Sequence, residues 1–349
     1  MKTGELFDVT IIGGGPAGLY SAFYAGLRGM KTKIIEFQPQ LGGKLHVYPE
    51  KMIWDVGGQP PIQCAELIKQ LVEQGQTFDP AIVLNERVET IAKNAEGHFV
   101  IEGASGEMHL SKTVIVAVGG GILNPQKLDI EGAERFEVSN LNYTVKSLER
   151  FKGKKVLISG GGNSAIDWAN ELSPIAEEIY VTYRKAEFTG HEAQVEQLLG
   201  GAATCLLNTS ISRLIASDSR DAIELVELTD QLTDEKTLLP VDEVIINHGY
   251  ERDASLLDNS PLSIAIADDY YIAGNPKSES SVGGLYGAGD ILQHEGKLNL
   301  IAGTFVDAAN AVNQAKLYIQ PDATGVAMVS SHNDVFKKRN KELIQEMFS

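Results

Sequence analysis

The sequence predicts an α/β fold made of two domains of the same kind. A strand, a glycine-rich turn and a helix follow one another near the start, in LFDVTIIGGGPAGLYSAFYAGL, and again in KKVLISGGGNSAIDWANELS. A second apolar strand follows each copy, and alternating short strands separate the two copies. Strands that alternate with helices favour parallel sheets, so two Rossmann-like domains are expected.

The first turn has glycines at the three positions of the G-x-G-x-x-G fingerprint, Gly13, Gly15 and Gly18. The first permits a tight turn, the second lets backbone approach a pyrophosphate, and the third lets the helix pack on the strand. That helix, predicted over about residues 17–28, directs its first N–H groups at phosphates. Glu36 follows Gly18 by 18 residues, where a carboxylate accepts hydrogen bonds from a ribose. A dinucleotide with a free 2′-hydroxyl is the expected ligand.

Composition limits the classes of protein that remain. The chain has 349 residues, 43% hydrophobic and 22% charged, which suits a globular protein of two domains. Its net charge of −17 argues against nucleic acid or an anionic membrane as the main partner. Cys64 and Cys205 are far apart, so no disulfide framework, metal site or redox dithiol is expected. The first strand begins by about residue 7, and no run approaches a membrane span, so the cytoplasm is the expected location.

Several features between the two turns bear on the site. The glycines before Lys44 suit close backbone approach to a ligand. Tyr48 has two interpretations, a half-buried strand aromatic or a ring stacked on a flat cofactor. Residues 64–74 have the apolar spacing of an amphipathic helix. Residues 82–118 predict a β-meander whose last run, 113–118, is a central parallel strand.

The second turn repeats the first with Gly160, Gly162 and Ala165 at the three positions. Tyr183 takes the place that Glu36 has in the first copy, and Arg184 and Lys185 follow it. A carboxylate there would repel a 2′-phosphate, whereas these cations attract one, so the pattern favours NADP over NAD. The alternative is a solvated strand end.

Two later stretches are open to two interpretations each. Asp290 lies at a strand end behind two glycines, where it binds a sugar-alcohol chain or caps the next turn. An alanine-rich helix is predicted from about 300 to 318. The tail has basic residues at helical spacing, which form a solvated face or a docking site for an acidic partner: Lys337, Lys338, Arg339 and Lys341.

Over essentially its whole length the chain resembles the thioredoxin-reductase-like flavoproteins, specifically the bacterial ferredoxin–NADP⁺ reductases of that type. The first glycine turn with Glu36 is similar to the family's FAD fingerprint, and YGAGDI to its second FAD motif. AVGGGILNP is similar to its strand returning to the flavin, and GGGNSAIDWA to its NADPH motif. The resemblance implies a two-domain thioredoxin-reductase-like fold with FAD and NADP(H) as cofactors.

Carried over residue by residue, the resemblance implies two sets of contacts. Tyr48 is expected to stack on the isoalloxazine, and the C-terminal extension, with Val329 and His332, to cover the other face. The residues implied for FAD are Gly13, Gly15, Gly18, Glu36, Lys44, Tyr48, Val88, Leu123, Asp290 and Ser331. Those implied for NADPH are Gly160, Gly162, Asn163, Ser164, Arg184 and Lys185.

The chain departs from the family in two places. Thioredoxin reductases have a C-x-x-C before the second glycine motif, and residues 140–145 here are NLNYTV. Without a thiolate, electrons cannot pass to a protein disulfide by exchange, so the flavin must serve an external acceptor. Thr189 stands where a further phosphate-binding arginine is usual, which weakens the preference for NADP.

The expected activity is electron transfer between reduced ferredoxin or flavodoxin and NADP(H), with a hydride leaving flavin N5 and no catalytic residue named. The rivals are a reductase or oxidase for a small acceptor such as a quinone or oxygen, and a non-catalytic NADPH-sensing flavoprotein. An FAD domain of residues 1–121 and 281–349 is expected to flank an NADPH domain of residues 122–280. Glycine-rich crossings at 119–121 and 281–284 would form a hinge, and the FAD domains would pair as a homodimer.

Overall fold

The structure, a computed structural model, describes residues 4–121, 124–219 and 221–348. These residues form two compact units. The first unit comprises the described residues up to His46, then Lys51–Gly121, and those from Arg252 onward. The second unit comprises Val47–Glu50 and the described residues between Gly121 and Arg252.

The first unit begins with a βαβ segment and continues into a meander. Its elements are β1 (Leu6–Ile12), α1 (Pro16–Leu27), β2 (Thr32–Ile35), β3 (Met52–Ile53), β4 (Ile62–Gln63), α2 (Cys64–Gly75), β5 (Ala81–Val83), β6 (Val88–Lys93), β7 (Phe99–Gly103) and β8 (Met108–Val116). The predicted first strand, first helix and amphipathic helix are therefore confirmed.

The second unit repeats the strand–helix–strand order and adds a further small sheet. Its elements are β9 (Asn124–Pro125), β10 (Leu141–Asn142), β11 (Lys155–Ser159), α3 (Asn163–Leu172), β12 (Glu178–Tyr183), α4 (Glu192–Leu199), β13 (Thr204–Leu207), β14 (Thr209–Ala216), β15 (Ile223–Asp230), β16 (Lys236–Pro240), β17 (Glu243–Ile246) and β18 (Tyr250–Glu251).

The chain then completes the first unit. The remaining elements are α5 (Ser255–Asp258), β19 (Ile266–Ala267), β20 (Tyr271–Ala273), β21 (Leu285–Gly287), β22 (Leu292–Gln293), α6 (Ile301–Ile319) and α7 (Lys337–Met347). In the part of the chain that the structure describes, no helix combines the length and the apolar character needed to cross a bilayer.

A seven-stranded sheet forms the centre of the first unit, in the order β5-β2-β1-β8-β7-β6 with β21 also paired to β8. β1 is parallel to both β2 and β8, and β8 is antiparallel to β7. The strand predicted as the last of the meander and the predicted central parallel strand are thus one strand. In its second half this strand pairs with β1 and with β21, and its residues are all buried: Thr113, Val114, Ile115 and Val116.

The second unit has a parallel sheet in the order β10-β17-β11-β12-β13 and an antiparallel one in the order β14-β15-β16. Because side chains alternate along a strand, β11 contributes to two cores. Val156 and Ile158 face the cluster that contains Trp168 of α3. Leu157 faces the cluster that contains Val226 of β15.

The C-terminal boundary of the second unit differs from the prediction. The chain returns to the first unit at Arg252 rather than at residue 281. Two physical reasons account for the difference: β20 pairs with β22, and Leu256, Tyr270 and Ile272 are buried in the core of the first unit. The second crossing therefore lies at Glu251–Arg252, and the glycines at 281–284 lie inside the first unit. The nucleotide assigned to each unit stays a prediction.

An arginine at the end of α1 ties down the chain that follows α6. Arg28 is buried, and its guanidinium donates to the Asn313 side chain and to the Thr324 carbonyl, each at 2.5 Å. The Tyr24 hydroxyl accepts from the Ala327 amide at 3.2 Å. The beginning of the C-terminal extension is thus fixed to the first unit.

Glu243 is the buried charge of the second unit whose loss we expect to be costly. Its carboxylate is 3% exposed and accepts from Arg150 Nε at 3.0 Å and Lys154 Nζ at 2.7 Å. Both cations lose this shared acceptor when it is removed, and a hydrogen bond to a charged group contributes about 1.5–3 kcal/mol. We expect Glu243→Ala to lower the free energy of unfolding by about 3 kcal/mol.

The measurement is urea unfolding in a Trp54→Phe background, in which Trp168 of the second unit is the remaining tryptophan. The exposed Glu224→Ala serves as the control and should change the free energy by less than about 0.5 kcal/mol. Equal losses for the two variants would contradict the role given to Glu243.

Candidate nucleotide sites

The first glycine turn closes on the neighbouring strand. Gly13 has φ +111°, and a Cβ there would lie 2.4 Å from the Ala117 carbonyl oxygen just beyond β8. A Cβ on Gly18 would lie 1.9 Å from the Gly13 carbonyl oxygen. Around Gly15 there is more room, since the nearest described atom to an added Cβ is Gly43 Cα at 3.7 Å. The turn is tight at both ends and open in the middle.

Glu36 lies directly beside this turn, as its spacing predicts. Its carboxylate is buried and accepts from the Gly14 amide at 2.5 Å and the Gln38 amide at 2.8 Å. Each oxygen has a second lone pair, so the carboxylate can still accept from a hydroxyl. The two backbone donors thus fix the orientation of the buried Glu36 carboxylate.

Lys44 and Asp290 are brought together by the fold. Lys44 lies in a 3₁₀ helix, Gly43–Val47, and Asp290 in another, Gly289–Ile291, that follows β21. Lys44 Nζ and Asp290 Oδ2 are 2.5 Å apart. A Cβ on Gly289 would lie 2.9 Å from Ala17 Cβ, so the Asp290 turn packs on the start of α1. Nothing in the sequence pattern indicated this pairing.

The other residues implied for FAD lie in different places. Val88 is buried in β6, and Ser331 is exposed in a 3₁₀ helix, Ser330–His332. Tyr48 follows a 3₁₀ helix instead of lying in a strand, and it is half-buried against the Trp168 cluster of the second unit. Leu123 lies outside the described residues. Contact of these four residues with a cofactor stays a prediction.

The second glycine turn has the same geometry. Gly160 has φ +153°, and a Cβ there would lie 2.4 Å from the Asn247 carbonyl oxygen just beyond β17. Nothing that the structure describes lies within 4 Å of a Cβ built on Gly162. Asn163 and Ser164 are exposed at the start of α3. The central position of this turn therefore faces open space.

A loop after β12 folds back over this turn. The Tyr183 ring lies so close to Gly161 that an added Cβ would be 2.3 Å from it, and the ring stacks on Phe188 with centroids 6.0 Å apart. The Thr189 amide donates to the Gly161 carbonyl at 2.8 Å. Thr189 thus anchors the loop to the second glycine turn, a function that its sequence position did not reveal.

Two cations and a histidine follow the strands that end beside the second turn. Arg184 and Lys185 are exposed, and neither side chain forms a hydrogen bond or ion pair with a described residue. His248 Nε2 lies 2.9 Å from Ser159 Oγ at the end of β11. Burial, and then the charge of Arg184, lower the pKa of His248. Sequence reasoning missed His248, although it lies two residues after β17, where Val118 lies after β8.

The place of the missing dithiol has a structural function. Asn140 Nδ2 donates to the carbonyls of Ile223 at 2.8 Å and Asp242 at 2.9 Å, and its Oδ1 accepts from the Ile223 amide at 2.8 Å.

The two cysteines lie elsewhere. Burial raises the pKa of the Cys64 thiol to about 11 and also raises that of Cys205. Both thiols are therefore protonated near neutral pH.

Comparisons with known proteins agree with this geometry. Residues 7–315 match the family described as pyridine nucleotide-disulphide oxidoreductase. The chain is 71% identical over 347 residues to ferredoxin–NADP reductase 2 of Exiguobacterium sibiricum, covering 99% of each chain. It is 70% identical over 347 residues to ferredoxin–NADP reductase 1 of Bacillus mycoides, again covering 99% of each.

Solved structures give the same fold. The thioredoxin reductase of T. acidophilum matches with a TM-score of 0.75 and 25% identity, covering 91% of this chain and 99% of that one. The Lactococcus lactis thioredoxin reductase matches with a TM-score of 0.75 and 22% identity, over 90% and 99%. The predicted thioredoxin-reductase-like fold is confirmed. The chain belongs to the pyridine nucleotide-disulphide oxidoreductase family and, within it, to the ferredoxin–NADP reductases.

Proposed function

We propose that the chain transfers electrons between reduced ferredoxin and NADP(H), with FAD bound in the first unit and NADP(H) in the second. The observation that carries the proposal is that two turns of the same geometry differ in their charged neighbours. The first has a buried carboxylate, Glu36, and the second has two exposed cations, Arg184 and Lys185. This chain is accordingly an oxidoreductase of the ferredoxin–NADP reductase type that uses FAD and NADP(H).

The residues of the first unit fit FAD. The open space at Gly15 and the first N–H groups of α1 suit a pyrophosphate, which the helix N-terminus stabilises. Glu36 keeps acceptor sites for the adenosine ribose, and Asp290 keeps one oxygen for a ribityl hydroxyl while Lys44 holds the other. When bound, FAD supplies the chemistry, since a flavin accepts electrons singly and releases two with a hydride.

The residues of the second unit fit NADP(H). The space at Gly162 admits the pyrophosphate, beside the start of α3 with Asn163 and Ser164. Arg184 and Lys185 have no described acidic partner to displace, so both are available to a 2′-phosphate. Thr189 is tied to Gly161, so the selectivity for the phosphate depends on the two cations.

The proposal also covers the electron partner, the location and the oligomeric state. The protonated, separate thiols Cys64 and Cys205 favour an external electron partner, and flavodoxin is the alternative to ferredoxin. A cytoplasmic location and a homodimer remain part of the proposal. Exposed apolar side chains on α6 and just after it favour pairing through the first unit: Val306, Tyr318, Val326 and Met328. Sedimentation velocity tests the dimer.

Stopped-flow absorbance separates this function from its rivals. The purified protein should be yellow with one FAD per chain, should be bleached by NADPH, and should regain its colour on mixing with oxidised ferredoxin. Recoloration only with a quinone or oxygen would instead identify a reductase for small acceptors, and bleaching without fast recoloration a sensor. A colourless protein that takes up no FAD would refute the whole proposal.

Arg184→Ala tests the assignment of the second nucleotide. Only NADPH loses a charged hydrogen bond, which contributes about 1.5–3 kcal/mol, so its KM should rise roughly tenfold to a hundredfold. The KM for NADH should stay unchanged. Arg213→Ala, which removes an exposed arginine from β14 of the same unit, is the matched control. Equal loss for both nucleotides would refute the assignment.

Gly18→Ala and Gly162→Ala should give opposite results. At Gly18 the methyl group collides with backbone, so the variant should lose about 3 kcal/mol or more of stability. At Gly162 the methyl group enters open space, so the variant should unfold at the wild-type urea concentration but bind NADPH weakly. Urea unfolding and a fluorescence titration with NADPH measure the two properties. Normal NADPH affinity in Gly162→Ala would remove that residue from the site.

A further inference from the structure

A buried ion pair lies beside the Asp290 turn. Lys297, after β22, and Asp307, in the second turn of α6, form it with side chains only 4% and 7% exposed. His294 lies against the far side of the same carboxylate, with Nε2 3.5 Å from Asp307 Oδ1, and its side chain is 9% exposed. The group is closed to solvent, and none of its members was singled out by the sequence pattern.

The ion pair binds both the amide and the carbonyl of Gly289. Lys297 Nζ donates to the Gly289 carbonyl at 2.9 Å, and the Gly289 amide donates to Asp307 Oδ2 at 3.2 Å. Gly289 has φ +76° and packs against Ala17 of α1. The residue after it is Asp290, so a fixed Gly289 peptide fixes the direction of the Asp290 side chain.

The energetics of burial favour a positioning function. A buried ion pair contributes little net stability compared with an apolar pair of the same volume, because both charges lose their hydration. An apolar pair, however, could not bind the carbonyl and the amide of Gly289. The helix backbone at Asp307 is itself anchored, since its carbonyl accepts from Ser278 Oγ at 2.9 Å. The charges thus connect a rigid helix to the turn.

We propose that Lys297 and Asp307 are positioning residues that hold Asp290 in the orientation in which it binds FAD. The proposal rests on the proposed function, in that Asp290 contacts FAD. The ion pair acts through Gly289 and does not itself touch the cofactor. Its loss would let the Asp290 turn move while the first glycine turn stays in place.

The test measures FAD affinity and stability separately. Apoprotein is titrated with FAD by flavin fluorescence, and its thermal midpoint is followed by circular dichroism. Lys297→Met should raise the Kd for FAD about tenfold or more, since one charged hydrogen bond to the turn is lost. Lys154→Met, which removes a lysine from the buried Glu243 pair of the second unit, should lower the midpoint and leave the Kd unchanged.

Two further variants distinguish positioning from mere stabilisation. The double variant Lys297→Met/Asp307→Leu leaves no unpaired charge, so it should recover the thermal midpoint while its Kd stays raised. Recovery of both properties would overturn the proposal. Combining Lys297→Met with Asp290→Ala should weaken FAD binding no more than Asp290→Ala alone, because the lysine acts through that aspartate. Additive losses would also overturn it.

These outcomes are separable from those for the proposed function. If the wild-type apoprotein binds no FAD, the proposed function fails. If it binds FAD, Asp290→Ala weakens that binding, and Lys297→Met binds with the wild-type Kd, the function stands and the positioning function is refuted.

Discussion

The close approach of backbone to backbone at the end of two parallel strands is the constraint on which both sites depend. In each unit, a glycine follows the first strand of the βαβ segment and lies against a carbonyl just beyond the parallel neighbour of that strand. The carbonyl belongs to Ala117 in the first unit and to Asn247 in the second. No side chain fits between them. The same contact turns the chain sharply, so that the following helix begins directly beneath the open middle of the turn. The nucleotide site proposed in each unit is therefore a consequence of how its sheet ends.

The chemical difference between the two sites comes from the residues at the end of the second strand of each βαβ segment. In the first unit Glu36 folds inward and is held by amides of the turn itself and of Gln38. In the second unit the equivalent residue, Tyr183, covers Gly161 with its ring, and the charges after it remain in solvent. One architecture thus presents a buried anion in one place and exposed cations in the other. Because a ribose hydroxyl donates hydrogen bonds whereas a phosphate accepts them, this difference supports the proposed assignment of a different nucleotide to each unit.

Much of this arrangement could be predicted from local pattern. The strands, helices and glycine turns follow from hydrophobic periodicity and spacing, and the juxtaposition of Glu36 with the first turn follows from the βαβ connection. The pairing of Lys44 with Asp290, the anchoring of Thr189 to Gly161 and the return to the first unit at Arg252 could not be predicted. Each depends on contacts between residues distant in sequence, or on burial of a short segment, and a single sequence has no signal for either.

The anchoring of the C-terminal extension by Arg28 has a consequence for chain length. The guanidinium is buried and has two acceptors, the Asn313 side chain on α6 and the Thr324 carbonyl after it. The Tyr24 hydroxyl accepts from the Ala327 amide, so the chain is held as far as that residue. A protein shortened to end after Ala327 would keep all of these partners. One shortened to end before Thr324 would leave a permanently charged group inside the first unit with one acceptor fewer, although the whole of α6 would remain. The first few residues of the extension are therefore what the buried guanidinium requires, whereas Phe336, just before α7, makes a separate contact with the first unit, its ring centroid 5.5 Å from that of Phe78.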